Sequence, residues 1–353
     1  RNIGATAEFD FIASETSHLN GALNIDGQPL RFNLVSDGLN QNLKILLSAK
    51  SFNLSNYFPK VEEIKQQITE VQYSILLSPL APLIMWPGAT QIEIDLEQLR
   101  MDEFKISNVY ANFSSFGSTI KLNTLNADLF GGYADLTGLV NLQKNIPRSE
   151  FKINLNTINL ASMLPAITGN SDTTGSLSMD LDIAFNGIDL ENVLNSVVGS
   201  GEISVMQPRY SEINLEQTLC SAVTLLEGSR SSKNWPTGTL LQDLSAELEV
   251  QSGSLMVREL ISGTENIDLN LHGAVDIRSK DYQFLLKARL NDRSKAQDSC
   301  FNKLSMNIQD IPFTCKGNVS AINPPMCFPN MDVLGGMIKN KMLSDLLRKL
   351  SDL

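Results

Sequence analysis

Apolar and polar residues alternate with period two along most of this chain, the pattern of strands that bury one face and turn the other to water. Between positions 176 and 185, Leu177, Met179, Leu181, Ile183 and Phe185 fall on one side, with Ser178, Asp180, Asp182 and Ala184 on the other. The same alternation runs through Ala134, Leu136, Gly138, Val140 and Leu142, after a Phe130-Gly131-Gly132-Tyr133 turn. It returns in Phe151, Ile153 and Leu155, and in Leu244, Ala246, Leu248 and Val250. Ile267, Leu269, Leu271, Val275 and Ile277 lead through Arg278, Ser279, Lys280 and Asp281 into Tyr282, Phe284, Leu286, Ala288 and Leu290, so 267–290 reads as an antiparallel hairpin. Residues 21–36 read as another hairpin, turning at Asp26-Gly27.

Helical spacing interrupts the alternation in four places. Val61, Ile64, Ile68 and Val71 predict a helix within 59–86, ending among Pro79, Pro82 and Pro87. Short amphipathic helices are expected over 189–198 and 212–227. A terminal one is expected over 331–353, where Leu334, Ile338, Met342, Leu346 and Leu350 form a stripe. Docking on the protein and contact with a bilayer surface fit that stripe equally well. No Gly/Ser or Pro-rich linker divides the chain, and the softest boundary lies near residue 90. The expected organisation is therefore 1–90 as strands plus the 59–86 helix, 91–330 as the main β region, and 331–353 as the closing helix. One-sided hairpins joined by short turns, with few helices, predict a sandwich, a barrel or an elongated curved sheet.

Composition narrows the function. With 353 residues and 42% hydrophobic residues the chain can bury a sizeable core. A formal charge of −11 with scattered Lys and Arg argues against a nucleic-acid partner. No apolar run reaches the roughly 18–20 residues that span a bilayer. Position 1 is Arg and no signal segment precedes it, so the chain is expected to be part of a longer protein. Cys220, Cys300, Cys315 and Cys327 lack CxxC spacing, and the two histidines, His18 and His272, lie far away in sequence. Two disulfides, and hence an oxidising compartment such as a periplasm, fit better than a zinc site, with buried free thiols as the alternative. Cys300 and Cys315 flank a short hairpin and are the first choice of pair, leaving Cys220 for Cys327, although four cysteines allow three pairings.

Catalytic signals are missing. Neither histidine belongs to an HExxH motif, and no nucleophile or phosphate-loop motif occurs, so no enzymatic activity and no cofactor are expected. Asp180 with Asp182, and Asp95 with Glu97, alternate with apolar residues and read as a solvated outer face. Residues 168–175, "TGNSDTTG", lack the regular spacing and closing Glu of a calcium loop and read as a turn.

The order of "GATQIEIDLEQLRMDEFKISNVYANFSSFGSTIKLNTLNADLFGGYADLTGLVNL" (88–142), "NLNTINLASMLPAITGNSDTTGSLSMDLDIAFNG" (154–187), "NSVVGSGEISV" (195–205), "NLEQTLCSAVTLL" (214–226) and "DIPFTCKGNVSAINPPMC" (310–327) resembles the AsmA-like proteins of Gram-negative bacteria. The resemblance covers roughly residues 60–330. It implies a periplasmic, repeating β-groove whose apolar concave face carries phospholipid acyl chains between inner and outer membranes, anchored in the inner membrane by a helix absent from this chain.

Strands with one apolar face must cover it with a second layer, a partner or a ligand. Alternating Leu and Ile most often mean plain core, and it is the resemblance that reverses those odds. On that basis Leu136, Val140, Leu177, Met179, Leu181, Ile183, Leu248, Leu269, Leu271, Phe284 and Leu286 are assigned to the groove. The expected fold is mainly β, an elongated, curved, mostly antiparallel sheet forming an apolar groove, with an outer-membrane or envelope protein as a further partner at the C-terminal end. The rival expectation is an assembly factor for outer-membrane proteins that acts by pairing exposed strand edges.

Overall fold

The computed structural model of the chain describes residues 3–11, 16–38, 40–55, 88–101, 104–143, 146–168, 171–187, 189–212, 214–226, 234–290, 311–319 and 326–329. It is mainly β and mostly antiparallel, with few short helices. Two compact units are present, one of Arg1–Ile158 and Ser178–Gly199, the other of Asn159–Leu177 and Ser200–Leu353. The helices expected over 59–86 and 331–353 lie outside the described residues.

The first unit contains β1 (Ile3–Phe11), β2 (Thr16–Ile25), β3 (Gln28–Asp37), β4 (Asn42–Ala49), β5 (Phe52–Asn53), β6 (Thr90–Met101), β7 (Phe104–Phe116), β8 (Thr119–Leu129), β9 (Gly132–Asn141) and β10 (Arg148–Asn159). β1 to β4 pair antiparallel in chain order, and so do β6 to β10. β4 and β6 are joined in parallel, Leu43 opposite Thr90 and Leu47 opposite Ile94. Parallel neighbours need a crossover of a dozen or more residues, and the chain between these two strands is long enough to supply it.

Turn chemistry explains where the hairpins bend. Asp26 and Gly27 have φ of 50° and 84°, and Phe130 and Gly131 have 49° and 73°. Positive φ at both central residues gives the two-residue turn whose twist matches that of the flanking strands. Asn24 Oδ1 accepts the Gly27 amide at 2.8 Å and fixes the first of these turns. Gly132 opens β9 so close to the Asn156 carbonyl that a Cβ there would collide with it.

Chain order continues with α1 (Leu160–Thr168), β11 (Thr173–Asn186), α2 (Leu190–Ser196), β12 (Val198–Tyr210), α3 (Leu215–Leu226), β13 (Thr239–Leu240), β14 (Leu244–Gln251), β15 (Ser254–Gly263), β16 (Ile267–Asp276), β17 (Asp281–Leu290), β18 (Ile311–Asn318) and β19 (Met326–Pro329). The boundary between the units falls inside β11 and β12. α2 and α3 lie where their spacing predicts. In the second unit β14 to β19 form an antiparallel meander, with β13 paired to β12.

The cysteine pairing differs from the expected one. Cys315 is bonded to Cys327, 12 residues on, because the β18–β19 register sets the two directly opposite each other. Neither Cys300–Cys315 nor Cys220–Cys327 can then form. Cys220, fully buried on α3, is disulfide-bonded as well.

Candidate functional site

Residues directly opposite each other across a sheet point to the same face, so the register sorts side chains into rows. In the first unit, two adjacent rows cross eight strands from β2 to β10. One holds Leu19, Leu34, Ile45, Ile92, Phe113, Leu122, Gly138 and Phe151, the other Gly21, Phe32, Leu47, Ile94, Ala111, Leu125, Leu136 and Ile153. None of these sixteen positions carries a polar side chain. Leu23 and Leu30, Ala49, Leu96 and Val109, and Ala127, Ala134 and Leu155 continue the face towards one strand end.

That end is closed by protein. Leu96, Val109 and Ala127 are buried, with Leu30, Ala49, Phe52, Ile94, Leu99 and Ile106 packed against them. At the other end of the face the next row reads Ser17, Ser36, Leu43, Thr90, Ser115, Ile120, Val140 and Ser149. An apolar band thus ends in hydroxyl groups.

Two of its glycines let aromatic rings lie on the sheet. Gly21 is opposite Phe32 and Gly138 opposite Phe151, and a Cβ at either glycine would strike the facing ring. Phe151 also stacks on Phe185 of β11 at 5.9 Å.

The opposite face is largely polar, with Val35, Leu46 and Leu139 among its charged and amide side chains. Lys44 pairs with Glu93 at 2.8 Å and Lys152 with Asp182 at 3.0 Å, while Asn123 donates to Asn112 at 2.8 Å. Asp95, Glu97 and Asp180 are exposed, as their alternation predicts. Since Lys152 meets Asp182, the residues flanking Asp182 belong to the face of Phe151 and Ile153. Leu136, Val140, Met179, Leu181 and Ile183 therefore all lie on the apolar face of this unit.

The second unit repeats the arrangement. Leu248, Val257, Gly273, Phe284 and Cys315 form one row, and Ala246, Leu260, Leu271, Leu286 and Phe313 the next. Gly273 again lies under a phenylalanine ring, that of Phe284. Tyr282 stacks on Phe284 at 5.6 Å, and burial pushes its phenol above its usual pKa.

Here too one end is filled. Ile267, Leu269, Ala288, Ile311 and Phe313 form a core covered by Leu215 of α3, Trp235, Leu241 and Leu286. Leu269 and Leu286 accordingly meet protein side chains. Leu248, Leu271 and Phe284 are half-buried, and Leu177 is buried on β11.

α3 is fastened over this end by polar contacts. Asn214 Oδ1 accepts the Gln217 amide at 2.8 Å, capping the first turn, and the Leu215 amide donates to Thr239 Oγ1 at 2.9 Å. The Glu216 carboxylate accepts from Thr264 Oγ1 at 2.5 Å and from Asn266 Nδ2 at 3.2 Å. A cleft of about 400 Å³ lies beside them, lined by Asn214, Glu216, Gly238, Gln242, Thr264 and neighbours.

His18 faces Asp10 and Val35 in register, His272 faces Leu285, and among the described residues no three His, Cys, Asp or Glu side chains converge to hold a metal. Of the 168–175 stretch read as a turn, Thr173, Thr174 and Gly175 belong to β11, and Asp172 just before them accepts the Ser211 amide through its backbone carbonyl at 2.9 Å. No helix among the described residues is long and apolar enough to cross a membrane.

Sequence reasoning missed the hydroxyl row and the closed ends, because both emerge only when register aligns strands distant in sequence. The paired glycines were a usable signal, each being a small residue at an inward position of a strand.

Among known proteins, Protein AsmA of Escherichia coli strain K12 is 19% identical over 196 residues, 55% of this chain and 32% of that protein. The chain thus matches about a third of its relative's length. No solved structure matches. The sequence profile of the AsmA family matches residues 27–260. With about two thirds of its length matched, and with the one-sided strands that the resemblance implies, this chain belongs to the AsmA family.

Proposed function

We propose that this chain is a non-enzymatic lipid carrier of the cell envelope, which takes phospholipid acyl chains onto its apolar faces and conveys them between inner and outer membranes. AsmA proteins are envelope proteins. In this reading the protein works in the periplasm, tethered to the inner membrane by a segment outside this chain, with an envelope protein receiving lipid at the far end.

The observation that carries the reading is the pair of rows crossing eight strands without a polar side chain. A surface that recognises a polar substrate needs placed donors and acceptors, whereas acyl chains require only apolar area. The oxidising compartment fits the disulfide between Cys315 and Cys327.

The test is native mass spectrometry and lipid extraction of protein purified without detergent, beside an unrelated control protein. Bound phospholipid is expected on the parent chain and is expected to be lost in Leu181→Asp. A folded parent without lipid would overturn the proposal and favour strand-edge pairing with a protein client.

A further inference from the structure

We propose that the hydroxyl row bounding the first unit's apolar face is a subsite for the ester linkages of a diacyl lipid, with Thr90 as its anchoring donor. The inference rests on the lipid-binding reading above and adds which way the lipid lies. Thr90 is only 2% exposed, yet its Oγ1 has no hydrogen-bond partner among the described residues. A buried hydroxyl left without a partner is costly, so one supplied by a ligand is favoured there.

The surroundings identify that ligand. Thr90 faces Leu43 and Ser115 in register, and the row also carries Ser17, Ser36 and Ser149. The purely apolar rows begin with the next inward position, Ile92. Thr90 and Leu96 are six residues apart, about 20 Å along an extended strand. One leaflet of hydrocarbon is about 15 Å deep, half the core of a bilayer. A lipid whose ester carbonyl accepts from the Thr90 hydroxyl can therefore lay its tails along β6 until they meet the closed core at Leu96 and Val109. The headgroup then stays outside the apolar band. An ester carbonyl suits a row of neutral hydroxyl donors, where no Lys or Arg is present to favour an anion.

The experiment compares vesicles of diacyl phosphatidylethanolamine with vesicles of its dialkyl ether analogue, which has the same chains and headgroup and lacks the carbonyls. The parent chain, Thr90→Val and Thr90→Ser are loaded from each, and bound lipid is counted by native mass spectrometry. The parent is expected to favour the diacyl lipid by about fivefold, the equivalent of one net hydrogen bond. Thr90→Val should lose that preference, bind the ether lipid as the parent does, and melt no lower, because it removes an unpaired buried hydroxyl. Thr90→Ser should keep the preference. Lipid bound without ester preference by the parent, or a preference that survives in Thr90→Val, overturns the Thr90 subsite while leaving the carrier intact. No binding of either lipid overturns the carrier reading, and the subsite with it.

Discussion

Leu136 and Leu96 lie on the same apolar face of the first unit, and the account assigns them different surroundings. Leu96 is 7% exposed within the cluster that includes Val109 and Ala127, so replacing it by Ala should cost about 3 kcal/mol through lost contacts and a residual cavity. An aspartate there adds a buried carboxylate without a partner, and Leu96→Asp is expected to unfold the unit. Leu136, between Leu125 and Ile153 in register, is half-buried. Losing half of a leucine's burial removes about 1–1.5 kcal/mol, and the new carboxylate can reach water when no lipid is bound. For a domain of this size that is a fall of about 2–6 °C in Tm. Thermal melts by circular dichroism, with lipid extraction from the same samples, read both quantities. Leu136→Asp should remain folded and come off the column empty of lipid. If it unfolds as completely as Leu96→Asp, the face is a dry core and the reasoning is refuted.

Two further outcomes follow from the contacts. Removing the bond between Cys315 and Cys327 in a Cys327→Ala variant opens a 12-residue loop and should cost about 3 kcal/mol in the chain-entropy model, seen as a lower Tm than the parent; an unchanged Tm would mean that β19 is held by its ladder alone. Asp189 caps α2 by accepting the Asn192 amide at 2.8 Å, and the hydrogen bonds from Asn192 hold its carboxyl below the usual carboxylate pKa. Because the folded value is depressed, the cap's contribution is present above the unfolded pKa, near 4, and is lost as pH falls through the folded value. Asp189→Ala should therefore lower Tm at pH 7, and parent and variant should converge in melts taken at progressively lower pH.

Much of this architecture was legible in the alternation. The Asp26-Gly27 and Phe130-Gly131 turns, the hairpin over 267–290, α2 and α3 all lie where pattern and turn residues placed them. What was hidden depends on register. Bulges between Leu122 and Leu125, and between Val257 and Leu260, shift the phase, so inward residues are three apart where strict alternation expects two. α1 does carry a cap, Asn159 Oδ1 accepting the Ala161 amide at 2.9 Å, but Pro165 inside it interrupts the helical spacing that would set it apart from the strands around it. The disulfide escaped because a hairpin between Cys300 and Cys315 was the basis for pairing them, whereas the β18–β19 register decides that Cys315 meets Cys327. The parallel join of β4 to β6 is likewise a matter of how a long connection returns, which local pattern does not encode.

The most direct measurement of the central claim places a photoreactive amino acid at one of two neighbouring positions. Leu136 belongs to the apolar face, while Thr137, opposite Lys152, belongs to the polar one. After irradiation in cells and purification, the account predicts phospholipid covalently attached to the probe at position 136 and none at position 137. Equal labelling at both, or a probe at 136 that captures only protein, would contradict it.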